Sequence, residues 1–287
     1  MTRRFGIHAS TAGGVDQAAH EAVKLSANCF QIFSSSPRMW RASAIDPAKA
    51  RALRQLCEKH DLAPMVIHCN YLINLAATDE NVLRQSILAF RGELERAVQL
   101  GAEYVVLHPG SRKGHTDPQA ALDLAAASVG VAAQGLKMGS TRLLFENTAG
   151  AGQSIGSTFE DLAALSRLVV RTAPHLPVGF CIDTCHCLAA GYDVATSEGL
   201  RNTVAQLELL LGLDNVPVIH TNDSKGALGS HLDRHANIGD GQIGEAGFAR
   251  ILNHEQLRAK AFILETPSED GAAERDLATL RRLSSSE

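Results

Sequence analysis

The chain has no long hydrophobic run. None of its apolar stretches approaches the ~20 residues that a bilayer-crossing helix needs, which argues against a membrane partner. The two arginines after Thr2 are followed by no apolar stretch, so the N-terminus does not read as a secretory leader and the cytoplasm is the expected location. There is no excess of positive charge: 27 Lys+Arg stand against 31 Asp+Glu, a net charge of −4. Taken alone, that balance speaks against nucleic acid, although bound divalent cations would reverse the sign of the field locally. CxxC pairs are missing as well, which excludes a zinc ribbon. The six cysteines are Cys29, Cys57, Cys69, Cys181, Cys185 and Cys187, and several fall inside apolar runs, so we read them as mostly buried free thiols. Cys185 and Cys187 flank His186 and are minor ligand candidates. No low-complexity segment, repeat array or linker interrupts the chain.

What is present is a large core and a regular alternation. Apolar residues make up 45% of 287 residues, close to the size of one barrel domain. Strand-like runs alternate with helical patterns. The expected strands are Phe5–His8, Cys29–Phe33 and runs ending at His68, His108, Glu146, Asp183, His220 and Glu265. The expected helices cover about 14–26, 47–60, 81–100, from 118, 158–170, 197–211, 246–253 and from 271. Eight βα units without a change of composition predict one (β/α)8 TIM barrel over residues 1–287. The loops 34–46, 69–78, 109–117, 147–157 and 221–243 are long, and long loops on the strand-end face of a barrel carry function.

The run ends carry the chemistry. PMVI runs into His68, EYVVL into His108, TRLLF into Glu146, VGFCI into Asp183, VPVI into His220 and AFIL into Glu265. One such residue is an ordinary polar strand end. Six that converge on one barrel face would repel or lie unsatisfied without a cation. Two clusters add to the set: Asp183-Thr-Cys-His186, and Asp233-Arg-His235, whose i, i+2 spacing in an extended segment puts both side chains on one side. Five histidines and four carboxylates, with no thiolate, suit zinc, with manganese or iron as alternatives at one or more sites. Nine ligands with one bridging carboxylate fit three ions. Three divalent charges of about +6 against about −4 leave a positive pocket suited to a phosphate ester.

The remaining motifs are weaker. Gly239-Asp-Gly241-Gln-Ile-Gly244 matches GxGxxG but follows a polar loop instead of a strand, so it reads as a flexible loop entering a helix. Trp40, Tyr71 and Leu72 either cover the barrel rim or, with Arg38, act as wedges into a base stack. Arg112, Lys113, Lys225 and Arg234 lie on the same face and could hold backbone phosphates.

The chain resembles the endonuclease IV family of abasic-site endonucleases along essentially its whole length. The resemblance is carried by GIHASTAGG (6–14), FQIFSSSPRMW (30–40), HCNYLINLA (68–76), LHPG (107–110), FENTAGAGQ (145–153), DTCHCLAAGYD (183–193), HTNDSK (220–225), DRHANIGDGQIG (233–244) and LETP (264–267). It implies three zinc ions, held by His68, His108 and Glu146; by Glu146 as bridge with Asp183, His220 and Glu265; and by His186, Asp233 and His235. It also implies sharply bent duplex DNA, a flipped abasic sugar, and Arg38, Tyr71 and Leu72 filling the gap on the DNA-binding face. Two departures, Ala151 in place of glutamine and Met39 in place of a polar residue, bear on a loop or DNA contact and not on a ligand.

The implied reaction is hydrolysis 5′ to an abasic site, leaving a 3′-hydroxyl and a 5′-deoxyribose phosphate, with Glu146 and Glu265 orienting water acidified by metal. Selectivity would come from flipping, since a site without a base unstacks cheaply. The expected partner is abasic duplex DNA, met as a monomer. Two other readings stand beside this one. The first is a metal-dependent sugar isomerase or epimerase, which needs one or two ions and no Asp233/His235 site. The second is a non-catalytic abasic-DNA binder, which need not keep nine ligands.

Overall fold

A computed structural model describes residues 3–284 of the chain. β1 (Arg4–His8) leads to α1 (Val15–Lys24), β2 (Cys29–Phe33) to α2 (Pro47–His60), and β3 (Met65–His68) to α3 (Glu80–Leu100). β4 (Tyr104–Leu107) leads to α4 (Pro118–Ala133), and β5 (Arg142–Glu146) to α5 (Phe159–Thr172). β6 (Val178–Asp183) is followed by two helices, α6 (Thr184–Ala190) and α7 (Ser197–Leu211). After β7 (Val218–His220) comes a short antiparallel ribbon of β8 (Asp223–Ser224) and β9 (His235–Ala236), then α8 (Gly244–Asn253). β10 (Ala261–Leu264) and α9 (Ala272–Ser284) complete the order.

Among the described residues, eight parallel strands close a barrel in the order β1-β10-β7-β6-β5-β4-β3-β2. This is the expected TIM barrel. The barrel strands are short and buried on both faces, so they read as continuous apolar runs such as MVIH, YVVL and AFIL. The helices start where the sequence offers a cap. Asp46, Asp79 and Asp117 accept hydrogen bonds from the first-turn N–H groups of α2, α3 and α4, and Thr158 does so for α5.

Two cores result. The larger lies between barrel and helices and includes Phe30, Phe90, Phe145, Phe159, Phe248 and Phe262. The smaller lies inside the barrel and is made of Cys29, Val66, Val106, Leu144, Cys181, Val218, Ala261 and Ile263. β1 contributes only Gly6 at this depth, because a Cβ there would collide with the carbonyl and Sγ of Cys29.

The structure corrects three expectations. Residues 184–190 form α6, a helix the apolar pattern hides because Asp183 ends a strand and caps a helix at once. The loop 221–243 contains the β8–β9 ribbon. The segment 239–244 does enter α8, but it is pinned and not free. The buried carboxylate of Asp223 accepts from the backbone N–H groups of Ser224, Gly239, Gly241, Ile243 and Gly244 at 2.8–3.2 Å. Gly241 has no room for a side chain, since a Cβ would meet that carboxylate. No helix among the described residues is long and apolar enough to cross a membrane.

Candidate metal centre and nucleic-acid interface

Side chains two residues apart on a strand point the same way. Two residues beyond each inward apolar residue of the barrel interior therefore stands a second inward residue, at the strand end. Val66 is followed by His68, Val106 by His108, Leu144 by Glu146, Cys181 by Asp183, Val218 by His220 and Ile263 by Glu265. Those six are the sequence candidates. Gly6 and Cys29 are followed in the same way by His8 and Gln31. The polar layer is thus a ring of eight, one residue per strand, of which the strand-end reading finds six. His8 does end its expected strand, Phe5–His8, but is not among the ligand candidates, whereas Gln31 is legible only through the period of two. Gln31 lies mid-strand because β2 runs on to Phe33, which pairs with His68.

Glu146 occupies the middle of the ring and is fully buried. Its Oε2 lies 3.3 Å from Nε2 of both His68 and His108, while its Oε1 lies 3.0 Å from Nδ1 of His220. One carboxylate thus faces two separate groups of donors. His220 Nδ1 is also 3.2 Å from Glu265 Oε2. Three groups have ligand atoms mutually within 4.8 Å: His68, His108 and Glu146; Glu146, Asp183, His220 and Glu265; and Asp183, His186 and His235. The third differs from the expected set, for Asp183 belongs to it. Asp233 stands at its half-exposed edge, 3.3 Å from His186 Nε2 and 3.6 Å from His235 Nε2.

Local structure sets these positions. Asp183 caps α6 by accepting the His186 N–H at 2.8 Å, which fixes His186 one turn away from it. β8–β9 pairing brings His235 back over the barrel mouth. Asn147 and Asn222, which sequence reasoning leaves out, tie the ends together. Asn147 Oδ1 accepts the Asp183 N–H at 2.6 Å, and Asn222 donates to Asp183 Oδ2 at 2.6 Å while accepting the Glu265 N–H at 2.8 Å. Each directly follows or nearly follows a ligand candidate, which is the signal that could have found them.

Burial would raise the carboxyl of Glu146, yet the charges of His108 and His220 hold it well below the usual range. Glu265 is also held well below that range, with burial outweighed chiefly by the charge of His220. Burial lowers His186 and His220, but Asp183 and Asp233 around the one, and Glu265 and Glu146 around the other, hold both well above the ordinary imidazole. Protons therefore stand where cations could. Burial pushes the Cys181 and Cys185 thiols up to about 12, so neither is a thiolate at neutral pH.

The donor set fits divalent metal. Nε2 of His235 is buried without a hydrogen-bond partner and faces Asp183 and Asp233, while its Nδ1 donates to the Glu265 carbonyl at 3.3 Å. A neutral imidazole anchored in this way presents a lone pair to the centre of its group.

Tyr71 stands at the mouth, 65% exposed, with its ring 5.2 Å from that of Phe33 and 5.8 Å from that of His68. It lines both a cavity of about 240 Å³ that holds His108, His186 and Asp233 and another of about 260 Å³ that holds His8, His235 and Glu265. The Tyr71 N–H donates to the Pro37 carbonyl, so the loop with Arg38 and the loop with Tyr71 and Leu72 are joined. Arg38 is exposed and Leu72 half-buried. Trp40 packs partly against the outer core and acts as rim cover. Arg112 pairs with Asp161, whereas Lys113, Lys225 and Arg234 are exposed.

Residues 19–283 match the family described as xylose isomerase-like TIM barrel. The chain is 50% identical over 286 residues to the probable endonuclease 4 of Solibacter usitatus, covering 99% of this chain and 97% of that one. The chain belongs to the endonuclease IV family. It is 43% identical to the endonuclease 4 of Thermus thermophilus, over 92% of both chains. A crystal structure of endonuclease IV from Thermus thermophilus superposes with a TM-score of 0.85 at 41% identity, over 98% of both chains. A D-tagatose 3-epimerase-like protein shares the fold, with a TM-score of 0.68 at 18% identity, over 98% of this chain and 96% of that one. As an endonuclease IV family member, the chain is an enzyme of the DNA-repair nuclease class.

Proposed function

We propose that this chain hydrolyses the phosphodiester 5′ to an abasic site in duplex DNA, acting as a monomer in the cytoplasm with three zinc ions at the strand-end ring. The observation that carries the reading is Glu146, a fully buried carboxylate whose two oxygens face two different sets of imidazoles. His68 and His108 with Glu146 would hold one ion. Glu146 with Asp183, His220 and Glu265 would hold the second, and His186, Asp233 and His235, with Asp183 close by, the third. When bound, such ions acidify water toward neutral pKa and neutralise the oxygens of an in-line displacement.

The chain's own residues do the rest. Glu146 and Glu265, held ionised by their neighbours, orient the attacking water and leave its deprotonation to the acidity that bound metal would supply. Tyr71 and Leu72, with Arg38 on the tethered neighbouring loop, fill the gap that an extruded nucleotide leaves in the duplex. Lys113, Lys225 and Arg234 hold flanking phosphates. The DNA substrate is supported by the names of the relatives. The epimerase alternative is supported only by shared fold, and fold does not fix chemistry.

The test is an end-labelled duplex with one tetrahydrofuran abasic analogue, which resists β-elimination. A single cut on its 5′ side, leaving a 3′-hydroxyl, is expected. No cut by zinc-loaded protein would refute the reading, and tight binding without a cut would favour the binder.

A further inference from the structure

We infer that Gln31 is a positioning residue that fixes which nitrogen of His220 faces metal; the inference rests on the metal-centre reading above. Gln31 is fully buried among the ring residues and offers no charge. Its Nε2 lies 2.5 Å from Glu265 Oε1 and 3.0 Å from His8 Nδ1, and its Oε1 lies 2.8 Å from His220 Nε2. A carboxylate only accepts hydrogen bonds, so the amide nitrogen must be the end that faces Glu265. The amide oxygen then faces His220, and His220 must carry a proton on Nε2 to meet it. The neutral ring consequently has its lone pair on Nδ1, the atom that looks toward Glu146 and Glu265. The second amide hydrogen goes to His8 Nδ1, which places the His8 proton on Nε2, a buried atom with no partner.

The other imidazoles show why this matters. Nδ1 of His68 donates to the Cys69 carbonyl, that of His186 to the Asn147 carbonyl and that of His235 to the Glu265 carbonyl. Each of those rings is fixed by backbone and turns Nε2 inward. His220 is the reverse: it turns Nδ1 inward and depends on a side chain. A backbone carbonyl survives any substitution at its own residue, whereas the support of His220 can be removed by one change at residue 31. Gln31 also clamps Glu265, a second member of the same ligand group, so one amide orders two ligands.

The test uses the full chain and Zn²⁺ in a competing chelator buffer. Gln31→Met keeps length and apolar volume and removes both hydrogen-bonding ends. We expect the variant to release one zinc equivalent with affinity lowered about 10–100-fold, the usual cost of losing an outer support, while the other equivalents titrate as in the parent. DNA affinity should be unchanged and kcat should fall with KM constant. Equal zinc affinities in a folded variant would overturn the inference. Nitrogen-15 spectra of the zinc-loaded parent give an answer that needs no variant: His220 protonated at Nε2 is expected, and a proton on Nδ1 would overturn the assignment. Parent protein that takes up no zinc would instead refute the metal-centre reading, and this inference with it.

Discussion

Two adjacent layers inside one barrel have opposite chemistry. The lower layer is Val66, Val106, Leu144, Cys181, Val218 and Ile263 with Cys29, every member fully buried and apolar. The upper, two residues further along the same strands, is His8, Gln31, His68, His108, Glu146, Asp183, His220 and Glu265. Strand geometry is shared, so only the side chains differ. The lower layer excludes water and closes the barrel. The upper inherits that rigid frame and that low dielectric, in which charges act strongly and must find partners. Stability and chemistry are thus separated along the barrel axis, as is general for this fold.

The largest way to break the division is to disarm the upper layer alone. Glu146→Gln keeps the volume and removes the charge, so cleavage of the abasic duplex should fall by roughly 10²–10³-fold, with DNA affinity nearly intact. Single-turnover cleavage alongside binding separates the two, and lost binding with normal turnover of bound DNA would contradict the role given to Glu146. The converse change is Leu144→Ala, directly beneath it. A fully buried leucine truncated in a close-packed layer should cost about 2–5 kcal/mol in denaturant unfolding, with zinc stoichiometry unchanged. Zinc lost in proportion to stability would show that the layers are not separable.

Acidity sharpens the comparison. Without metal, His186 and His220 have folded values above 6.5, so their contribution to stability is complete below pH 6.5 and is lost as pH rises through the raised values. Glu146 and Glu265 have folded values below 4.5, so theirs is complete above pH 4.5 and is lost as pH falls through the depressed values. The chelated protein should therefore have its highest melting temperature between these limits and soften above pH 6.5. Zinc competes for the same sites as those protons, so the zinc-loaded protein should gain affinity over the same rise. Melting curves with chelator and with zinc should slope in opposite directions, and parallel slopes would count against shared protons. The smallest effect on stability is expected at the rim. Tyr71→Ala should shift unfolding by less than about 0.5 kcal/mol while weakening binding of abasic duplex in a fluorescence titration.

Much of this is legible in the sequence. The barrel follows from apolar runs alternating with amphipathic ones, and the six strand-end candidates from the residue that stops each run. Gln31 escapes a reading of run ends, because only side-chain alternation marks it. Gln31 also sits inside its strand, where barrel stagger leaves it level with ends elsewhere. The proximity of Asp183 to His186 and His235 depends on α6 and on β8–β9 pairing, both too short to leave a periodic signal. Asp223 is silent for a similar reason: its partners are backbone N–H groups, most of them far along the chain, which carry no residue-type signature.

That aspartate behaves like an anion trapped in the fold. Five N–H dipoles converge on its carboxylate, the arrangement by which proteins bind free oxyanions. Asp223→Gly should leave a vacancy shaped for a small carboxylate, and the loop leading into α8 should slacken with it. Formate supplied in solution should then restore the melting temperature in a saturable way that chloride does not match. An absent or chloride-like response would mean that the covalent tether, and not the charge, holds this turn of the chain in place.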